Sequence, residues 1–248
     1  MLFRSDDAYG FSQLDSQTLL LKLPSMGRND RASTEAHIQK NKHLLDRMPY
    51  LIIDCRDNGG GINRTWTPLK PYLQTQSTVT DGQLFWGSED NAEMMLATLK
   101  QYPLPKKEAK LVKQLAKEMK AHPGQFVGSM NARRERYGPP TLYPQKVVIL
   151  VNGRCASSCE EFVLWAQQSR KVTIMGVPTA GIVDFVSTFS TTIPCMNWDF
   201  RYPMARSNRV ADGRALDNIG IPPKISLQHV TTDWIEYAQN WLKANSTH

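Results

Sequence analysis

Residues 51–61 read LIIDCRDNGGG, and residues 147–162 read VVILVNGRCASSCEEF. In the first, a continuous apolar run over 50–55 is bounded by polar residues and glycine. That is the pattern of a strand buried on both faces. Gly59, Gly60 and Gly61 follow at once, and successive glycines let backbone N–H groups come close to a ligand. The run lacks the G-x-G-x-x-G spacing, so no dinucleotide site is expected. In the second stretch another buried strand, Lys146–Val151, runs into Asn152-Gly153, then small residues, then a helix. Ser157 therefore falls at or just before a helix N-terminus, where free N–H donors and the positive end of the dipole collect. A serine there reads as an N-cap, a role Ser158 serves equally well. It also reads as a nucleophile whose oxyanion a neighbouring N–H would catch.

Working outward, residues 18–23 (TLLLKL) read as a short strand and 33–48 as a helix with Ser33 at its N-cap. Residues 65–74 hold a short helix weakened by Pro68 and Pro71. A further helix is expected over 90–101, and a plainly amphipathic one over Lys106–Ala121. Residues 125–143 read as a basic surface excursion, with loops over 133–144 and 207–213. A helix over 156–169 turns Phe162, Val163 and Ala166 inward, Val172–Gly176 is a third buried strand, 185–201 a hairpin, and 233–244 a closing amphipathic helix. Strands alternating with helices predict an α/β layer with parallel pairing. No linker is long enough to cut the core into independent domains.

Hydrophobic residues make up 41% of the 248, and charged residues 21%, enough apolar material for a core. No stretch approaches the ~20 apolar residues of a membrane helix, so no integral membrane segment is expected. The net charge of +7 is concentrated in the lysines of Lys106–Ala121 and in residues 133–136. No aromatic residues interleave with those lysines as a stacking surface requires, so a solvated helix face is expected rather than a nucleic-acid partner. Cys55, Cys155, Cys159 and Cys195 form no C-x-x-C, and no histidine stands at zinc spacing beside them. Cys155 and Cys159, flanking a sharp turn into a helix, read as small packing residues, and neither a metal nor a cofactor is expected.

Taken together, the two opening stretches bring in a family resemblance. LIIDCRDNGGG resembles the LIIDLRxNxGG signature of the C-terminal-processing (tail-specific) peptidases and the related tricorn-protease core. VNGRCASSCEEF resembles their VNxxSASxSE nucleophile segment, GVPTAG at 176–181 their GexTxG strand end, and IGIPPKISL at 219–227 their GvxPDixv element. The motifs follow the family's order over residues 15–230. The resemblance implies an α/β fold of the ClpP/crotonase type, a spiral of ββα units, and a serine-type peptidase acting on peptide or protein substrates. It implies Ser157 as nucleophile and the N–H groups of Ser158 and Gly60 as the oxyanion hole. The lysine base of the processing branch aligns with Ile182, so the resemblance implies the tricorn-like use of histidine and a carboxylate, with Asp217 where that branch has Glu. Two other readings use the same fold: a non-catalytic ligand- or peptide-binding module, and a crotonase-like acyl-CoA enzyme.

None of His37, His43, His122, His229 and His248 sits in a segment like the family's histidine motif, which lies upstream of the 18–23 strand. The opening Met1-Leu2-Phe3-Arg4-Ser5 has no signal-peptide features. Leu2-Phe3-Arg4-Ser5 is also what the end of a widely used sequencing adapter encodes. Residues 1–5 are thus expected to be an assembly artefact, 1–14 an N-terminal tail, and 15–248 a peptidase catalytic domain whose parent continues upstream. Such a fragment would be a poor peptidase alone, and by family resemblance its parent would work in the periplasm or elsewhere outside the cytoplasm.

Overall fold

Tyr50–Asp54 and Lys146–Val151 are the central strands of a six-stranded sheet, and nearly every side chain in them is buried. The computed structural model describes residues 9–27, 30–128 and 132–245. The sheet order is Gly10–Gln13, Thr18–Lys22, Tyr50–Asp54, Lys146–Val151, Val172–Gly176, Ile225–Ser226. The first pairing is antiparallel and the others are parallel. Leu20 stands opposite Ile52, and Ile52 opposite Val148. Side chains alternate across the sheet, so two cores form. Leu19, Leu21, Leu51, Ile53, Val147 and Ile149 meet Phe162, Val163 and Ala166 of the helix Ser158–Ala166 on one face. Leu20, Ile52, Val148 and Leu150 meet Ala238 and Leu242 of the helix Trp234–Ala244 on the other. The parallel α/β layer is the one the alternation predicts. No helix among the described residues is long and apolar enough to cross a membrane.

Several elements differ from the sequence reading. Gly10–Gln13, assigned to a tail, is an edge strand, and Ile225–Ser226 is a strand too short to carry a pattern. The helix read over 33–48 runs instead over Asp30–Lys40 and Lys42–Leu45, with Ser33 inside it rather than at its cap. The break falls at Asn41, whose side chain donates to His37 O at 2.8 Å and so competes with the helical pattern. Residues 63–73 form successive short turns, Asn63–Thr65, Thr67–Leu69 and Lys70–Leu73, with the prolines at turn starts where their missing N–H costs nothing. Residues 1–5 and His248 lie outside the described residues.

The described residues fall into two compact units. The first holds the six-stranded sheet and comprises residues up to 79, 134–183 and from 216 on. The second comprises residues 80–133 and 184–215. Both pieces of the second unit are excursions out of the first, so no linker composition marks them, and the sequence reading divided nothing here. Its antiparallel sheet has the order Phe185–Ile193, Trp198–Ser207, Gln83–Trp86, Phe126–Val127. Phe85 and Ala205 pack there with Ala92 of Glu89–Gln101 and with Ala116 and Met119 of Lys106–Ala121. The hairpin expected over 185–201 reaches Ser207. Residues 208–211, read as loop, form a short helix because the Ser207 hydroxyl accepts the Arg209 N–H at 3.2 Å. Arg133–Glu135, also read as loop, is extended; it has no apolar residue to signal a strand.

Candidate active site

Ser157 is the N-cap of Ser158–Ala166 and has φ 56°, ψ −120°. A non-glycine residue at positive φ costs on the order of 1–3 kcal/mol and persists only where its surroundings impose it. Here they do. The Ser157 N–H points to Ile182 O at 3.1 Å and to Glu160 Oε2 at 3.0 Å. Glu160 is wholly buried. Its Oε1 accepts the Thr179 hydroxyl at 2.6 Å and the Gly181 N–H at 2.8 Å, and its Oε2 also accepts the Ile182 N–H at 2.9 Å. A buried carboxylate is tolerable only when satisfied in this way. Glu160 thereby clamps the turn at Ser157 to the Thr179–Ile182 segment. Sequence reasoning missed it as a site residue, although Ser157-x-x-Glu160 has capping-box spacing.

The glycine loop meets the same turn. Gly60 has φ 91°, and a Cβ there would stand 2.5 Å from Ala156 O, 2.9 Å from Ser157 Cβ and 3.0 Å from Ser158 N. Only glycine fits. Gly60, Ser157 and Ser158 are thus brought together, as the motifs imply. The Gly60 N–H, however, donates to Asn58 Oδ1 at 2.9 Å, so that donor is engaged within the loop. Asn58 is buried; its Nδ2 donates to Leu23 O at 2.7 Å, and its main-chain O accepts the Ala156 N–H at 3.0 Å. Asp57 and Asn152 tie the two loops again: the Asp57 N–H donates to Asn152 Oδ1 at 3.0 Å, and Asn152 Nδ2 returns to Asp57 Oδ1 at 3.1 Å. The Ser158 hydroxyl donates to Asn63 Oδ1 at 2.8 Å.

Asp217 is half-buried, and its Oδ1 accepts the Val183 N–H at 2.6 Å. Its turn packs on the Thr179–Val183 segment: the Asn218 N–H donates to Gly181 O at 2.9 Å, and the Ile221 N–H to Thr179 Oγ1 at 2.7 Å. Ser157 and Asp217 are therefore linked through the main chain of Ile182 and Val183. The Ile182 side chain is 57% exposed and offers no amine. None of the histidines among the described residues has a hydrogen bond to Ser157. His37 packs edge-on against Tyr9, His122 closes Lys106–Ala121, and His43 and His229 are exposed.

Beneath the turn at Ser157 lie Cys55, Cys155 and Cys159, all free and buried, with the Cys155 thiol donating to Cys55 O at 2.9 Å. Hydrogen bonding to Cys159 and burial push the Cys155 thiol far up, so it stays neutral. Cys195 is free and exposed in the hairpin turn. No group of side chains suited to a metal ion occurs among the described residues.

The chain resembles mature CPAF at 17% identity, with a TM-score of 0.65 over 93% of this chain and 52% of that one. A protein of Parabacteroides merdae ATCC 43184, described as a candidate peptidase, is 19% identical, with a TM-score of 0.58 over 96% and 66%. A lipoprotein from Streptococcus agalactiae is 18% identical, with a TM-score of 0.52 over 97% and 71%. The chain thus spans between about half and two thirds of the length of the first two. No curated protein sequence matches it significantly. These likenesses show the fold, which is the α/β, ClpP/crotonase-like class that the motifs imply. The sequence pattern of peptidase family S41 matches residues 17–227, and with most of its length covered the chain belongs to that family.

Proposed function

We propose that the chain is the catalytic domain of a serine-type peptidase that hydrolyses peptide bonds by acyl transfer through Ser157. The observation that carries this reading is the convergence of a strained serine at a helix N-terminus, a glycine whose Cβ position touches it, and a carboxylate one peptide unit away. Ser157 Oγ attacks the scissile carbonyl, the Ser158 N–H at the helix start receives the oxyanion, and the leaving amine departs with the proton that Ser157 gave up. The acceptor of that proton is proposed to be a histidine of the parent protein, oriented by Asp217. The substrate is an extended peptide or unfolded protein segment, and the parent protein is proposed to act outside the cytoplasm.

The test is reaction with a fluorophosphonate, in which Ser157 Oγ displaces fluoride from phosphorus. Mass spectrometry is expected to place the adduct on Ser157, with none in Ser157→Ala. Adduct on Ser158, or on no serine of this turn, overturns the assignment.

A further inference from the structure

The helix Lys106–Ala121 carries its charge in one line. Lys106, Lys110, Lys113, Lys117 and Lys120 recur three and four residues apart, so at about 3.6 residues per turn they share a stripe about 80° wide and about 21 Å long. All five are exposed. The helix turns its other side inward, where Ala116 and Met119 are buried in the core of the second unit. Its acids lie off the stripe: Glu108 and Glu118 stand about 160° and about 120° around from its middle. Lys120 pairs with Glu93 at 3.1 Å and with Glu89 at 3.4 Å. Lys106, Lys110, Lys113 and Lys117 pair with no acid among the described residues. Like charges at these spacings disfavour a helix, so the stripe costs stability unless an anion from outside lies along it.

We propose that this lysine stripe is a docking surface for an acidic, extended segment of a polypeptide substrate. The identity of the occupant rests on the peptidase reading above; the demand for an anion rests on the stripe itself. In an extended chain every second side chain falls on the same face, about 6.6 Å apart, and the lysines rise along the helix in steps of about 4.5 and 6 Å. Their flexible stems take up the difference. Asp or Glu at alternate positions thus meets one ammonium each. Two other anionic partners fit less well. The helix has no aromatic residue on which a nucleobase could stack, and its apolar side is taken up by the core and so does not sink into a membrane. A substrate held here by one segment keeps the rest of its chain at a raised local concentration.

The experiment measures, by anisotropy and at several salt concentrations, the binding of a fluorescent peptide of alternating Glu and Ser to the full chain. Lys110→Gln/Lys113→Gln/Lys117→Gln is expected to bind about 10-fold more weakly, since each exposed pair contributes little alone, and to show a shallower salt dependence. Its thermal midpoint is expected to hold or rise as the like-charge contacts go. Lys40→Gln/Arg47→Gln/Arg170→Gln removes the same charge from exposed positions elsewhere and is expected to bind as the parent does. Equal losses in the two triple variants, or none in the stripe variant, overturn the assignment. So does tighter binding, through the same lysines, of an oligothymidylate or of anionic lipid vesicles, which would make the occupant a nucleic acid or a membrane. Fluorophosphonate labelling of Ser157 is followed alongside. A parent that does not label there overturns the peptidase reading, whereas selective loss of peptide binding in the stripe variant supports the docking surface whether or not Ser157 reacts.

Discussion

Gly60 admits no side chain, because the position a Cβ would take lies 2.5 Å from Ala156 O and the residue has φ 91°. Gly60→Ala is therefore expected to lose roughly 2 kcal/mol of stability, read from the urea midpoint, and to slow Ser157 labelling by displacing the 156–158 turn. Glu160→Gln is close in shape but sets an NH₂ group against two of the N–H or O–H donors that the carboxylate accepts. An expected cost of about 3 kcal/mol follows from the unmet buried groups, together with loss of Ser157 labelling as its positive φ relaxes. A variant as stable as the parent would show that other contacts hold the turn. Ser157, Ser158, Gly60 and Asp217 were all legible as motif positions; the first three meet at one turn, and Asp217 is tied to it through the main chain of Ile182 and Val183. Asn58 and Asn63 were not, because they lie in an irregular loop where no periodicity tells which way a side chain points. That the Gly60 N–H is engaged depends on the Asn58 rotamer alone.

At the scale of elements, the strands buried on both faces announced themselves as apolar runs, whereas Gly10–Gln13 and Ile225–Ser226 owe their extension to the backbone of a neighbour. The helix Trp234–Ala244 was legible from its apolar face, but its tie to the other end of the chain was not. Asp15 accepts the N–H groups of Gln17 and Thr18 at 2.8 and 2.7 Å and the Gln239 side chain at 2.8 Å, and pairs with Lys243 at 2.5 Å. Burial alone would raise its carboxyl; the Lys243 ammonium and those N–H groups outweigh it and hold the pKa at about 2. A carboxylate depressed from about 3.9 stabilises the folded state above that unfolded value, and the gain is lost as pH falls toward about 2. Asp15→Asn is expected to melt below the parent at pH 7, with the gap closing between about pH 4 and pH 2. A gap independent of pH over that range would assign the effect to packing.

For the whole molecule, the second unit carries its own buried charge network. Arg209 Nε meets Asp184 Oδ1 at 2.8 Å and Arg209 Nη1 meets Asp81 Oδ2 at 3.1 Å, with Arg209 and Asp184 both buried. Removing the cation takes the guanidinium from beside the buried Asp184 carboxylate, so Arg209→Ala is expected to destabilise this unit by about 3–5 kcal/mol. Hydrogen exchange should show the loss in residues 80–133 and 184–215, with the six-stranded sheet keeping its protection; uniform loss would mean that the two units unfold together. The division itself was illegible in the sequence, since both pieces leave and re-enter the first unit with no linker to mark the crossings. The placement of the thiols supplies a way to watch all of this. With Cys195 exposed and Cys55, Cys155 and Cys159 buried under the turn at Ser157, a maleimide dye should attach to the native protein at a single position on the hairpin tip. The remaining sulfhydryls then serve as a built-in clock, each reacting only when the floor beneath the nucleophile opens.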